Sequence, residues 1–286
     1  MTGKPIFVDH WRFTEASCRA LFEDAFAVGA PSTYAKATSE VAYAAGVVIG
    51  MACRVARRSP MKGLGWLLEM AARRLTGVHF VYARGGLGIP HSVALTFDDG
   101  PSEWTPPILD TFAERGGHAT FFVLGGSVAG KEAILRRALA EGHELASHGF
   151  THADPRRLDD ATLRDELERT SALLEDVVGV RPRLFRPPYA AKDLRVARIA
   201  RDAGLSPTVL RSVDPADWRS TDPEHIAAHV LEGVQPGSIV CLHDGLPPHE
   251  TLGAPDRRAT VAALPAILDG LARAGLVPVT VSDLLG

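Results

Sequence analysis

The stretch Ser92–Pro101, SVALTFDDGP, decides the fold. An apolar, β-rich run ends in two adjacent carboxylates, Asp98 and Asp99, and Gly100-Pro101 then turns the chain. Side by side in an apolar interior, two carboxylates would repel each other. One resolution is a solvated turn, since Asp, Gly and Pro are the usual turn residues. The other is that one carboxylate holds a metal while its neighbour moves a proton.

Outward from this run the same pattern recurs. HATFFVLG, HELASH, RLFRPP, PTVLRSVD, SIVCLHD and VPVTV read as further strands, seven in all with the first. Helices lie between them. Leu163, Leu167, Leu174 and Val178 form an apolar stripe at helical spacing, and Gly179 can stop that helix. Asp193 can cap the next helix, which Gly204 ends, and Asp222-Pro223 is a capped start with proline in the first turn. Strand-helix alternation over about 200 residues implies parallel strands, in an open sheet or a barrel. Strands that end in polar residues favour the barrel, whose active sites collect at the strand C-termini. Asp98, Asp99, His148, Arg186, Asp214 and His243 then all sit at or just past a strand end. Spacing alone does not separate seven strands from eight.

Composition narrows the class. The 286 residues are 46% hydrophobic with a formal charge of -3, so a sizeable core forms and no basic field points to nucleic acid. Cys18, Cys53 and Cys241 are too scattered for a disulfide framework or a zinc finger. The start, MTGKPIFVDHWRFTEAS, lacks a basic segment followed by an apolar core, so no signal peptide is expected and a cytoplasmic location is. The most apolar run, VAYAAGVVIGMAC (41–53), falls short of the roughly 20 residues of a membrane span and reads as a buried helix. Residues 1–85 read as a mainly helical extension and 86–286 as the catalytic domain. The extension is expected to pack on the barrel, to restrict the substrate mouth or to join two copies as a homo-oligomer. Arg54, Arg57, Arg58, Lys62, Arg73 and Arg74, interleaved with Trp66, Leu67 and Leu68, also suit peripheral contact with an anionic membrane surface.

The chemistry-bearing residues fall into short segments. His148 and His152 in SHGFTH are four apart and can share one face, as two ligands of one metal. A carboxylate from Asp98 or Asp99 would complete a three-ligand site with open positions. Arg186, in FRPPY, is a cation on a stiffened backbone that can hold a carboxylate ionised. SVDPADW offers Asp214, Asp217 and Trp218, and VCLHDG offers His243. Taken singly, each has an ordinary structural explanation, as have His118 and His143. Jointly, and in this order, the set favours a functional site over those ordinary explanations.

In sequence and order, TFDDGPS, HGFTH, RPPY, DPADW and LHD resemble the five motifs of the polysaccharide deacetylases of carbohydrate esterase family 4, and ATFFVLG and EGHELASH are similar too. The resemblance covers roughly residues 90–286. It implies a distorted (β/α) barrel of seven or eight strands and one divalent metal, usually zinc, with cobalt, nickel or manganese as alternatives. Matched by motif, Asp99, His148 and His152 would be the ligands, Asp98 the general base and His243 the general acid. Arg186 would orient Asp98, and Asp217 would orient His243. Pro188, Tyr189, Trp218 and Leu242 would contact substrate, with the Tyr189 backbone N–H in an oxyanion hole. Gly149 stands where many members carry Ser or Thr, so a loop-bracing hydrogen bond is expected to be missing. Ala190 stands where glycine is frequent. The implied reaction is N-deacetylation. With no export signal in view, the expected substrate is intracellular: an N-acetylated amino sugar, a glycosylated metabolite or another small N-acyl compound. Two rival readings remain, a metal-independent ureide-type amidohydrolase on the same scaffold and a silent glycan-binding module.

Overall fold

The computed structural model describes residues 77–82, 91–247 and 256–286. The expectations for the extension, its lid, oligomer and membrane-surface roles included, lie outside these residues, as does the proposed boundary at residue 85.

The wall of the fold is parallel throughout. Strands β1 (Phe80–Val81), β2 (Ser92–Asp98), β3 (Ala119–Val123), β4 (Glu144–Ser147), β5 (Thr208–Val209), β6 (Ile239–His243) and β7 (Val277–Pro278) alternate with helices. The central order is β4-β3-β2-β6, with β7 beside the start of β2 and β1 beside β5. Phe185 bridges Ser147 at the end of β4 to Thr208 in β5, and Val213 bridges to Val240 in β6. The pairings thus return to β6, and the sheet closes as a distorted barrel.

Six of the seven segments read as strands pair much as anticipated, though PTVLRSVD and VPVTV shrink to two-residue strands. RLFRPP keeps a single bridging residue, because the two prolines after Arg186 lack the N–H groups a longer ladder needs. β1 was not foreseen. It lies ahead of residue 85, in what reads from sequence as extension, yet it pairs with β5.

Side chains alternate across the wall. Val93, Leu95 and Phe97 of β2, Phe121 and Val123 of β3, and Val240 and Leu242 of β6 join one apolar cluster with the helices. Ala94, Phe122 and Ile239 take the opposite face. They form a second cluster with Ala146, Leu184, Val209 and, from the C-terminal helix (281–285), Val281 and Leu284. All seven residues of β2 are buried, as a strand covered on both faces requires.

The outer helices are α1 (Thr105–Arg115), α2 (Glu132–Ala140), α3 (Asp160–Val178), α4 (Leu194–Asp202), α5 (Pro223–Gly233) and α6 (Arg258–Arg273). Their ends follow the signals in the sequence. Asp193 accepts from the Val196 N–H, and Asp222 accepts from the Glu224 and His225 N–H groups. Gly179 stops α3 at φ 74°, where a side chain would be disfavoured. On α3, Leu163, Leu167 and Leu174 are buried while Val178 is only partly covered. Leu167→Ala is expected to lower unfolding free energy by about 2–5 kcal/mol, read by denaturant titration, because a fully buried leucine leaves a cavity.

Candidate active site

The C-terminal ends of β2, β4 and β6 deliver the reactive groups to one side of the barrel. Asp98 is the last residue of β2 and His243 the last of β6, directly opposite in register. His148 follows the last residue of β4. Arg186 follows the Phe185 bridge, and its backbone N–H donates to the Ser147 carbonyl at 3.0 Å.

Asp98 and Asp99 are both buried, so the solvated turn is excluded. Asp99 turns back at φ 78°, a left-handed conformation that non-glycine residues seldom adopt. Its Oδ1 then lies 3.4 Å from Nε2 of both His148 and His152, and among the described residues that buried oxygen accepts no hydrogen bond. His148 Nδ1 is 2.7 Å from the Arg186 carbonyl. A carbonyl only accepts, so Nδ1 carries the proton and Nε2 presents a lone pair to Asp99. Lone pairs facing an anion need a cation between them. One ligand atom from each of Asp99, His148 and His152 lies within 4.8 Å of the others, and the donor set fits a divalent metal.

Asp98 faces a different partner. Arg186 Nη1 donates to its Oδ1 at 2.7 Å and to Thr96 Oγ1 at 2.6 Å, and Nη2 donates to the Leu210 carbonyl at 3.1 Å. The guanidinium lies 4.1 Å over the Phe122 ring. Burial raises Asp98, yet Arg186, then His148 and His243, hold it below the ordinary carboxylate range. It is therefore ionised at neutral pH.

His243 is shaped oppositely. Asp217 Oδ1 lies 2.8 Å from its Nδ1, while Asp217 Oδ2 accepts from the His243 backbone N–H at 2.9 Å and from Thr260 Oγ1 at 2.7 Å. Burial alone would lower the imidazole. The Asp217 carboxylate, with Asp99 and Asp98 adding, raises it to about 9, so the ring carries a proton. Asp214 stands apart, bound to Arg211 at 2.6 Å and to the Ala216 N–H at 2.9 Å.

Among the expected substrate contacts, Pro188 is buried, Trp218 is half-buried and Tyr189 is 52% exposed, with its ring 4.8 Å from that of His152. Leu242 is displaced from that group. It is fully buried in the outer cluster with Leu95 and Phe97, because Cys241 and His243 take the inward positions of β6 and the intervening side chain points away. His143 is buried and bonded within the fold, while His118 is exposed beside it. His143 Nδ1 accepts from the Ala119 N–H at 3.0 Å, and burial, helped by His118, lowers its imidazole to about 4.

Sequence reasoning missed Glu166. Its carboxylate accepts from the backbone N–H of Phe150 and Thr151 and from Thr151 Oγ1, at 2.8–2.9 Å, and so braces the loop carrying both histidines. The loop-bracing bond expected to be absent beside Gly149 is thus supplied from α3. A signal existed: Glu166 interrupts the apolar stripe of Leu163 and Leu167, and a buried carboxylate needs partners. Asp244 was missed too. It accepts from the Gly100 N–H at 3.1 Å and Thr105 Oγ1 at 2.6 Å, and its backbone carbonyl accepts from Ser102 Oγ, which ties β6 to the turn after Asp99. Burial, with Asp99 and Asp98 nearby, raises its carboxyl to about 7.

The family model described as polysaccharide deacetylase matches residues 88–208. A chitooligosaccharide deacetylase of Bradyrhizobium sp. (strain ANU 289) is 40% identical over 196 residues, which is 67% of this chain and 89% of the relative. A peptidoglycan-N-acetylglucosamine deacetylase of Bacillus cereus is 38% identical, covering 68% of this chain and 87% of its own. Among solved structures, the Bc1960 peptidoglycan N-acetylglucosamine deacetylase, in complex with 4-naphthalen-1-yl-N-oxidanyl-benzamide, superposes with a TM-score of 0.66 at 28% identity over 74% of this chain and 94% of that one. These relatives overturn the expected cytoplasmic location, since peptidoglycan, which several of them are named for, is a polymer outside the cytoplasmic membrane. They support N-deacetylation of a carbohydrate and lend no support to an intracellular small metabolite as the substrate. Separately, no helix among the described residues is long and apolar enough to cross a membrane.

Two outcomes follow from the geometry. Leu242→Ala is expected to destabilise by about 2–5 kcal/mol in chemical unfolding while leaving KM for a glycan substrate unchanged. Glu166→Ala is expected to weaken metal retention on dialysis, since it frees the loop between His148 and His152; retention equal to wild type would show that the loop holds without it.

Proposed function

The chain belongs to the polysaccharide deacetylase family, and we propose that it hydrolyses the N-acetyl amide of N-acetylglucosamine units in a glycan, a chitooligosaccharide or a peptidoglycan strand. The observation that carries this reading is the buried Asp99 Oδ1, which accepts no hydrogen bond among the described residues and faces two imidazole nitrogens, with an Arg-held carboxylate beside it. Asp99, His148 and His152 would hold the metal. Zinc suits one carboxylate and two imidazoles, and the bound ion supplies Lewis-acid activation of the amide carbonyl and of a water molecule.

The remaining steps belong to the chain. Asp98, ionised and fixed by Arg186, takes the proton of the attacking water. The Tyr189 backbone N–H donates to the oxygen that gains charge as the carbonyl carbon becomes tetrahedral. His243 gives its proton to the amide nitrogen as the C–N bond breaks, since an unprotonated amine anion leaves poorly. Acetate and a free amine are the products. Pro188 and Trp218 shape the space for the acetyl group and the sugar. Family membership with both acid and base present favours this reading over a silent binding module, and the intact Asp-His-His set favours it over metal-free amidohydrolysis.

The test measures bound metal by elemental analysis and acetate release from chitooligosaccharides and peptidoglycan. Asp98→Asn is expected to keep metal and lose about 10²–10⁴-fold in kcat. Asp99→Asn and His148→Ala are expected to lose metal first. Full metal content in the Asp99, His148 and His152 variants would sink the assignment.

A separate outcome concerns pH. His243 works protonated, and Asp217 is what raises its proton affinity. Asp217→Asn lowers that affinity, so the alkaline limb of kcat against pH should move to lower pH. An unmoved limb would mean that another group donates the proton.

A further inference from the structure

We propose that Cys241 is a positioning residue for the base, its thiol donating a hydrogen bond to Asp98 Oδ2 opposite the bond from Arg186 to Oδ1. The proposal rests on Asp98 acting as the base. Cys241 lies on β6, registered against Thr96, with outward-facing Val240 and Leu242 on either side. Its sulfur is 3.4 Å from Asp98 Oδ2, and the thiol is buried. Arg186 Nη1 is 2.7 Å from Oδ1 and 3.9 Å from the sulfur.

A carboxylate rotates broadly about its last torsion, so a hold on one oxygen leaves its plane poorly set. Arg186 and Cys241 together grip both oxygens. A thiol is also a weak donor, so it orients Oδ2 without drawing off much of the basicity that proton transfer needs. Burial first, and the Asp98 charge next, raise the thiol well above its ordinary range, so it remains an S–H donor. Asp98, Cys241 and His243 could in principle surround a second cation, offering atoms within 4.8 Å of one another. The Arg186 guanidinium already occupies the Asp98 side of that group, and the protonated His243 the other. A proton-handling cluster is what the charges allow.

The experiment compares Cys241→Ser, which keeps a donor, with Cys241→Ala and Cys241→Val, which do not. Each variant is matched to wild type for bound metal and melting temperature. With chitooligosaccharide, kcat is expected to fall about fivefold in the Ala and Val variants at unchanged KM, and to stay within about twofold in the Ser variant. Wild-type kcat in Cys241→Val, or a Ser variant as slow as Val, would overturn the proposal. Infrared spectra of metal-free protein give a readout independent of turnover. Each spectrum is taken against its own Cys241→Ser partner, which isolates this S–H stretch. The band is expected to move to higher frequency in Asp98→Asn and to stay in place in Asp99→Asn. A band unmoved by Asp98→Asn would show that the bond is absent. A wild-type protein without deacetylase activity would overturn the functional reading instead, and the infrared band would still decide the bond.

Discussion

The site depends on one buried cation, Arg186. Its side chain fixes the proposed base and its backbone a proposed metal ligand: Nη1 holds Asp98, while its carbonyl receives the Nδ1–H of His148. The same residue therefore fixes the two groups whose separation defines the reaction. A charge inside a barrel is costly unless each of its faces is used. Arg186 uses them on Asp98, Thr96, the Leu210 carbonyl and the Phe122 ring. Among the described residues only its Nε lacks a partner. Removing one member of such a pair leaves the other charge buried and uncompensated, which costs about 3–5 kcal/mol. The ion pair is thus as much a condition of the fold's upper half as of its chemistry.

Around that pair the backbone is held in conformations that side chains usually avoid. Asp99, His152, Tyr189, Ala190 and Ala216 all have positive φ, between 49° and 78°. All five lie in the segments that bear the proposed ligands, base, oxyanion donor and acid's partner. Such residues persist where the surroundings over-determine them. Here the surroundings are identifiable. Asp244 grips the Gly100 N–H and leaves no room for a Cβ there, which would collide with its carboxylate. Glu166 grips the loop before His152. Thr260 and the His243 N–H fix Asp217. Buried carboxylates one layer further out thus brace the segments of Asp99 and His152.

The sequence was legible wherever one residue reports on its own environment. Asp159 was not singled out, but Asp193, Asp222 and Gly179 mark helix ends by their own chemistry, and all three do so in the structure. Asp98, Asp99, His148, Arg186 and His243 were placed at strand ends because each follows an apolar run, and they meet on one side of the barrel. What escaped was relational. Leu242 was read as a pocket residue by motif position, yet the alternation of β6 turns it outward. Glu166 and Asp244 act across 15 to 16 and 139 to 144 positions of sequence, and no local pattern names such partners. Cys241 offers no motif at all. Only the register of β6 on β2 brings its sulfur to Asp98. The strand at Phe80–Val81 was overlooked because two residues carry no period, and pairing with β5 alone defines them as a strand.

The two ends of the proton path are separated by environment rather than by residue type. Asp98 and His243 are opposite in register, Asp98 buried and His243 half-buried, and desolvation works against the charged form of each. Each is nevertheless held charged, Asp98 by a fixed cation and His243 by a fixed anion. Groups pushed to opposite protonation states a few ångströms apart are how one pocket runs acid and base steps together. A dication held by Asp99, His148 and His152 would lower the proton affinity of His243, drawing a raised imidazole back toward the range where it can release its proton. It would also favour the ionised form of Asp98. Such an ion and the Asp217 carboxylate would pull His243 in opposite directions. Asp217 is anchored by Thr260 on α6 and holds the Nδ1 side of the imidazole, so it supplies proton affinity and leaves Nε2 for the proposed proton transfer. The acid's strength would then be a difference between two electrostatic terms, one carried by the barrel and the other by the bound ion.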